Sequence, residues 1–402
     1  MRCARLALLA ALGLAGCGDP SPAPIDAASR DAGVPMSGVD AGDVADAGAT
    51  DAGEAGGDAG TPTDAGSDAG TAASPQVGLL LRDGEPMPCA DPTVVSERDE
   101  RRVYYVYCTS MARIWRTEDW DRFDNVRSST ELRLGAMPTQ SQALGSWWAP
   151  TVIYAPGAAR YVMWVSVPDA DAQRVDGRWD TRSLAVLSAP EPTGPWRFER
   201  MAIDAARGDQ FIDPMLFRNP SGGGHFVYWK QYGSGVPSRI MGSRVDDAWT
   251  GLSGAEVEIM NGYGGPGTWE DNVRENPAVY MDDNERFHML FSGAHWADSS
   301  YATGHALSNC GPLCTTAGTG WRMRESGDRG VLHVIQARDL PNRFAHGGPG
   351  GAVFQDDLGT FIVYAAAARG PDDAARYLMR DAIAWMNGAP YVDRAGHHPS
   401  GY

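Results

Sequence analysis

The sequence predicts an all-β fold, a five-bladed β-propeller preceded by a disordered acidic linker. Three observations carry that expectation: a strand-pair pattern that recurs five times, a proline at the head of each recurrence, and no long stretch of helical periodicity. The 402 residues divide into three parts, 1–17, 18–75 and 76–402.

Residues 1–17 read as a lipoprotein signal peptide. Arg2 and Arg5 make a basic start, and Leu6 to Ala15 is an apolar run too short to span a bilayer. The run ends Leu14-Ala15-Gly16-Cys17, which resembles the bacterial lipobox, where the cysteine is lipidated and becomes the new N-terminus. Gly18 stands where an aspartate would hold a lipoprotein at the inner membrane. The expected location is the cell envelope, at the outer membrane or cell surface, with the membrane touched only through the lipid on Cys17.

Residues 18–75 read as a leash. Eleven acids face Arg30 alone, and Asp-Ala-Gly recurs at 31, 40, 46, 51, 58, 64 and 68. So little apolar surface cannot offset the entropy of ordering, and like charges extend the chain. The irregular spacing, without a bidentate Glu closing each loop, does not fit calcium-binding repeats.

Residues 76–402 carry a net charge of -9 out of the chain's -17. That acidity argues against a nucleic-acid partner, which calls for clustered Lys and Arg, and Lys230 is the only lysine. Thirteen Trp suit a globular fold that holds a ligand with apolar faces.

The repeats begin at Pro92, which leads Thr93-Val94-Val95 and then Val103-Tyr104-Tyr105-Val106-Tyr107. Pro150 leads Thr151 to Tyr154 and then Tyr161 to Val165; Pro214 leads Met215 to Phe217 and then His225 to Trp229. Pro277 leads Ala278 to Tyr280 and then Arg286 to Phe291, and Pro349 precedes Ala352 to Phe354 and Thr360 to Tyr364. Each unit has hairpin composition, and the spacing of roughly 60 residues is that of a four-stranded propeller blade. Ala185-Val186-Leu187-Ser188 and His305-Ala306-Leu307-Ser308 read as third strands, each followed by a turn and a Trp, at 196 and 321. Proline suits the first position of a strand because it has no N–H for the ladder. Blade-initial residues lie near the propeller axis, so the neighbours of the five prolines should converge at one mouth.

Four cysteines remain beyond Cys3 and Cys17, an even number in an exported protein. Cys89 and Cys108 are equidistant from the Arg98/Asp99 turn, the register of facing positions in a hairpin, so a cross-strand disulfide is expected; Cys310 and Cys314 would close a small loop. A zinc site of Cys310, Cys314 and His305 is the weaker alternative, since one Cys pair lacks a second.

Beside the prolines stand Asp91, Asp213 and Glu275, in Ala90-Asp91-Pro92, Ile212-Asp213-Pro214 and Glu275-Asn276-Pro277. Three carboxylates from three blades should therefore share one axial pocket. Like charges in a cleft push each other's protonation apart, giving an ionised base and a protonated acid, the pair that glycosidic cleavage requires.

Those motifs, with Trp148-Ala149-Pro150, Gly348-Pro349-Gly350 and Arg376-Tyr377-Leu378-Met379-Arg380 to Trp385, resemble glycoside hydrolase family 43 over residues 88 to 393. The resemblance implies Asp91 as general base, Asp213 as the carboxylate that tunes and orients the acid, and Glu275 as general acid. It further implies an inverting glycosidase acting on arabinose- or xylose-containing glycans, with no required cofactor and a structural Ca²⁺ or Na⁺ in the axial channel. The histidine the family commonly carries after Gly-Pro-Gly is here Gly351, with His346 five residues earlier, so the metal stays open.

Sugar rings want aromatic platforms and hydroxyl-binding donors. Trp147, Trp148, Trp296 and Tyr301 fall near the expected mouth, and Trp148, Trp296, His295 and Arg376 are the candidate substrate-binding residues. Packing is the competing role for each aromatic and for His295 and His305; Arg376 is expected to contact a substrate hydroxyl or pair a catalytic carboxylate, with a structural ion pair as its competing role. The Trp-x-Asn-Asp-Pro and Glu-Cys motifs of retaining fructan-cleaving propellers are missing. A monomer is expected, and the rival from another class is a surface lipoprotein whose propeller binds glycans without cutting them.

Overall fold

The computed structural model describes residues between 80 and 392, apart from 82–86, 98–99, 111–112, 127–131, 143–145, 176–177, 206–207, 234–235, 262–268, 271–272, 297–298, 309, 316–319, 324–333, 336–343, 357–358, 369–375 and 387–388. Residues 1–75, read above as a signal segment with Cys17 and an acidic leash, lie outside the described residues.

The described residues contain no α-helix. Five four-stranded antiparallel blades follow one another along the chain. A short strand β1 (Leu80–Leu81) precedes the first blade, which is β2 (Thr93–Glu97), β3 (Glu100–Tyr107), β4 (Ile114–Thr117) and β5 (Arg122–Asn125). After β6 (Leu132–Arg133), the second blade is β7 (Trp148–Ala155), β8 (Arg160–Pro168), then, past the small hairpin β9 (Arg174–Val175) and β10 (Arg178–Trp179), β11 (Arg182–Ala189) and β12 (Trp196–Ile203). The third is β13 (Asp209–Arg218), β14 (His225–Gly233), β15 (Val236–Val245) and β16 (Val257–Met260). The fourth is β17 (Arg274–Met281), β18 (Phe287–Gly293), β19 (Ala302–Ser308) and β20 (Trp321–Met323), and the fifth is β21 (Phe344–Asp356), β22 (Gly359–Ala368), β23 (Arg376–Met386) and β24 (Ala389–Val392).

The first strands β2, β7, β13, β17 and β21 each touch the next, and β21 returns to β2, so the blades close a ring. Side chains of a strand alternate between its two faces. In β8, Tyr161, Met163, Val165 and Val167 pack toward the first blade, whereas Val162 and Trp164 pack toward the third. Five apolar clusters result, one between each pair of neighbouring blades. Both faces of an inner strand are therefore buried, which is why these strands read as unbroken apolar runs rather than alternating ones.

The ring is fastened between its ends. Cys89 N–H donates to the Arg376 carbonyl at 2.8 Å and Leu378 N–H to the Met87 carbonyl at 2.9 Å, so the segment leading into β2 pairs with β23. Cys89 is bonded to Cys108, and Cys310 to Cys314. The facing register expected for Cys89 and Cys108 is not the one formed: Thr93 pairs with Tyr107, and Thr109 N–H bonds the Ala90 carbonyl. Cys89 reaches Cys108 from the closure segment, beyond the end of the ladder.

Pro92 stands directly before β2, as expected, whereas Pro150, Pro214, Pro277 and Pro349 sit inside their first strands, where the ladder is interrupted by a bulge. Ala149-Pro150 lies opposite Val165 alone, Asp213-Pro214 opposite Trp229, and Asn276-Pro277 opposite Phe291. The missing proline N–H falls where the ladder is interrupted anyway. Asp91, Ala149, Asp213 and Asn276, the residues before the four prolines, have φ of 48°, 43°, 55° and 49°. This is the left-handed region, uncommon for residues with a side chain and costing of order 1–3 kcal/mol each, and the ring imposes it four times around the axis.

Candidate active site

The bulge explains how carboxylates reach the axis. A bulged residue drops out of the ladder, leaving its N–H to find another partner. Asn276 N–H donates to Asp213 Oδ2 of the preceding blade at 3.1 Å. Ala149 N–H donates to Thr109 Oγ1 at 2.9 Å, and that hydroxyl donates to Asp91 Oδ2 at 2.6 Å. Asp91, Asp213, Asn276 and Ala149 line one axial cavity of about 80 Å³ together with the prolines that follow them.

Asp91 and Asp213 occupy the same register, but Glu275 does not. Asn276 fills the bulge of the fourth blade, and Glu275 lies one residue earlier, paired with Ser292 as Ile212 is with Lys230. The expected common register of three acids is thus two aspartates and a displaced glutamate. Glu275 joins the same network through its partners: Lys230 Nζ donates to its Oε2 at 2.6 Å and the Tyr301 hydroxyl to its Oε1 at 2.8 Å. Asn276 Nδ2 in turn donates to the Tyr301 oxygen at 3.3 Å.

Each carboxylate has a cation on the preceding blade. Arg376 of the fifth blade donates from Nη1 to Asp91 Oδ1 at 3.1 Å. Lys230 of the third blade pairs with Glu275 of the fourth, and Arg182 of the second is an electrostatic neighbour of Asp213 of the third. Arg182 makes no direct bond to Asp213. Its Nη1 donates to the Ser146 carbonyl at 2.8 Å, and its guanidinium lies 3.3 Å from the centre of the Trp148 ring. One face of Trp148 is therefore covered by an arginine, which limits its use as a sugar platform.

Protonation follows from these contacts. Burial, then the charges of Glu275 and Asp91, push the Asp213 carboxyl well above the usual carboxylate range. Burial pulls the Lys230 ammonium down, but Glu275, Asp213 and Tyr232 together pull it further up, so it stays charged. Burial lowers Arg182 to about 9, and burial also raises the Tyr301 hydroxyl so that it remains a donor.

Of the candidate binding residues, Arg376, Trp296 and His295 form a second wall beside Asp91. The Arg376 guanidinium lies 5.5 Å from the Trp296 ring centre, and His295 and Trp296 are 5.7 Å apart, both partly exposed. Trp147, placed near the mouth by its sequence position, is fully buried and donates from Nε1 to the Ser141 carbonyl at 2.6 Å. His305 is buried against His288, 2.9 Å away, and Cys310 and Cys314 are bonded to each other, so no zinc site forms from them. The side chain of His346 lies outside the described residues. Among the described residues no three His, Cys, Asp or Glu side chains gather as metal ligands. The axial cavity is lined by the oxygen-bearing side chains of Asp91, Asp213, Asn276, Thr93 and Thr151 together with the apolar ones of Val94, Val152 and Leu216.

Sequence reasoning missed Lys230, Arg182, Thr109 and Tyr232 as members of this network and weighed Tyr301 mainly as packing. The one available signal was that Lys230 is unique in the chain.

The model of the family described as glycosyl hydrolases family 43 matches residues 86–390. The chain belongs to glycosyl hydrolases family 43. This family 43 chain is a glycosidase, and its fold is similar to solved propellers of the same family. A thermostable family-43 glycoside hydrolase is 19% identical with a TM-score of 0.58, over 78% of this chain and 96% of the other. An endo-arabinase from Bacteroides thetaiotaomicron VPI-5482 is 16% identical with a TM-score of 0.54, over 78% and 99%. An endo-1,4-beta-xylanase from the same organism is 17% identical with a TM-score of 0.57, over 77% and 96%. No curated protein matches the chain in sequence.

Proposed function

We propose that this family 43 glycosidase is an exported, inverting enzyme that cleaves arabinofuranosyl or xylosyl linkages of plant-type polysaccharides or oligosaccharides. The observation that carries the reading is that Asp91, Asp213 and Glu275 of three blades meet at the axis: Asn276 and Tyr301 join Asp213 to Glu275 by hydrogen bonds, and the charges of Glu275 and Asp91 both act on the Asp213 carboxyl. Asp91, oriented by Thr109 and Arg376, takes a proton from the water that attacks the anomeric carbon. Glu275 gives a proton to the departing glycosidic oxygen as the carbon–oxygen bond breaks. Asp213, which accepts the Asn276 N–H next to Glu275 and shares its electrostatic surroundings, tunes that acid and fixes its backbone. Attack opposite to departure inverts the anomeric configuration. The pentose assignment is supported by the arabinase and xylanase among the similar structures.

The deciding experiment is proton NMR of the first-formed sugar from a panel of aryl arabinofuranosides and xylosides. Inverted product on a pentoside is expected. Retained product would overturn the mechanism, and saturable binding without turnover would leave a glycan-binding surface propeller instead. Export on a lipid at Cys17 predicts palmitate-analogue labelling that disappears in Cys17→Ala; equal labelling of both overturns it.

A further inference from the structure

Lys230 is the chain's sole lysine, and it is buried on a strand of the third blade with its ammonium 2.6 Å from Glu275 of the fourth. An ammonium has three donors and no acceptor, so the Glu275 oxygen facing it can only accept. The other oxygen, Oε1, faces the Tyr301 hydroxyl, which can both donate and accept. The two oxygens of Glu275 are therefore chemically distinct before any substrate arrives. The Lys230 chain is itself held: its ammonium lies 4.5 Å from the Tyr232 ring centre, and its strand is flanked on both sides within the third blade.

Resting on the glycosidase reading above, we propose that Lys230 is a positioning residue for proton delivery: by capping Oε2 it makes Oε1 of Glu275 the oxygen that protonates the leaving group, and fixes the carboxyl plane in which it does so. A buried ion pair contributes little to stability for its cost in desolvation, yet removing one partner strands the other. An arrangement of that kind between two blades fits orientation of a reacting group better than support of the fold. Lys230 touches no reacting atom, so its effect passes entirely through Glu275.

The test compares Lys230→Met and Lys230→Arg with the unaltered full chain on two pentoside classes: natural disaccharide linkages, which need a protonated leaving group, and 4-nitrophenyl glycosides, which need it far less. Glu275→Ala supplies the reference pattern. The methionine variant should lose roughly 10²-fold in kcat on natural linkages, the scale of a general-acid contribution, and less than tenfold on nitrophenyl substrates. KM should change little, and Lys230→Arg, which restores the charge, should recover part of the split. Equal losses on both classes, with or without a fall in melting temperature, would overturn the positioning role while leaving the hydrolase reading standing. If the methionine variant does not fold, the arginine and a Lys230→Gln variant are held to the same split. Unaltered protein that cleaves neither class overturns both readings together.

Discussion

Arg376 holds both ends of the ring at once: its carbonyl accepts the Cys89 N–H at 2.8 Å, and its Nη1 and Nη2 reach Oδ1 and Oδ2 of Asp91 at 3.1 and 3.4 Å. The contact that closes the propeller is thus also the one that orients the proposed base. Propeller closure usually serves stability; here the same residue ties it to the site's geometry.

That coupling predicts a specific defect in Arg376→Lys. The ammonium keeps the charge but not the fork that meets two carboxylate oxygens. Losing one charge-assisted bond, on the order of 1.5–3 kcal/mol, should lower kcat/KM by about tenfold or more. Steady-state kinetics and the melting curve together check it; a variant with unchanged kcat/KM would show that the fork is dispensable.

The two disulfides should differ in weight. Cys89–Cys108 spans 19 residues and lies in the closure segment, two residues before Asp91, whereas Cys310–Cys314 spans 4 at the end of the fourth blade's third strand. Loop-entropy arguments give about 3 kcal/mol for the first and about 2 kcal/mol for the second. Paired Cys→Ser replacement should lower the melting temperature more at 89/108, and only that pair should also reduce activity. Calorimetry with parallel assays decides it.

Asp381 predicts a pH dependence of stability. It is buried on β23, accepts the Tyr364 hydroxyl at 2.6 Å, and burial raises it from 3.8 to about 8, with Arg380 opposing. The folded state therefore keeps a proton that the unfolded chain releases above about pH 4. The stabilisation is complete below the unfolded value and is lost as pH rises through about 8. Asp381→Asn, neutral at every pH, should flatten the decline in melting temperature between pH 5 and 9. Parallel curves for the two proteins would contradict it.

The amino-acid sequence by itself determined the number of blades, their order and most of their strands. That information is local: runs such as Tyr161 to Val165 are apolar at every position because both faces of an inner strand are covered, and turns separate them at a roughly constant spacing. It also brought Asp91 and Asp213 to notice, since each precedes a blade proline. Only the tertiary structure decided that those prolines mark bulges, that Asn276 rather than Glu275 fills the third bulge, and that Cys89 meets Cys108 from outside the ladder. It alone gave Lys230 to Glu275, and it chose Asp91 as the carboxylate that Arg376 pairs, across 45 and 285 residues. Hydrophobic pattern records which residues are buried and where the chain reverses. A charged side chain's partner depends instead on how the blades are rotated about the axis, and that is fixed only when the ring closes.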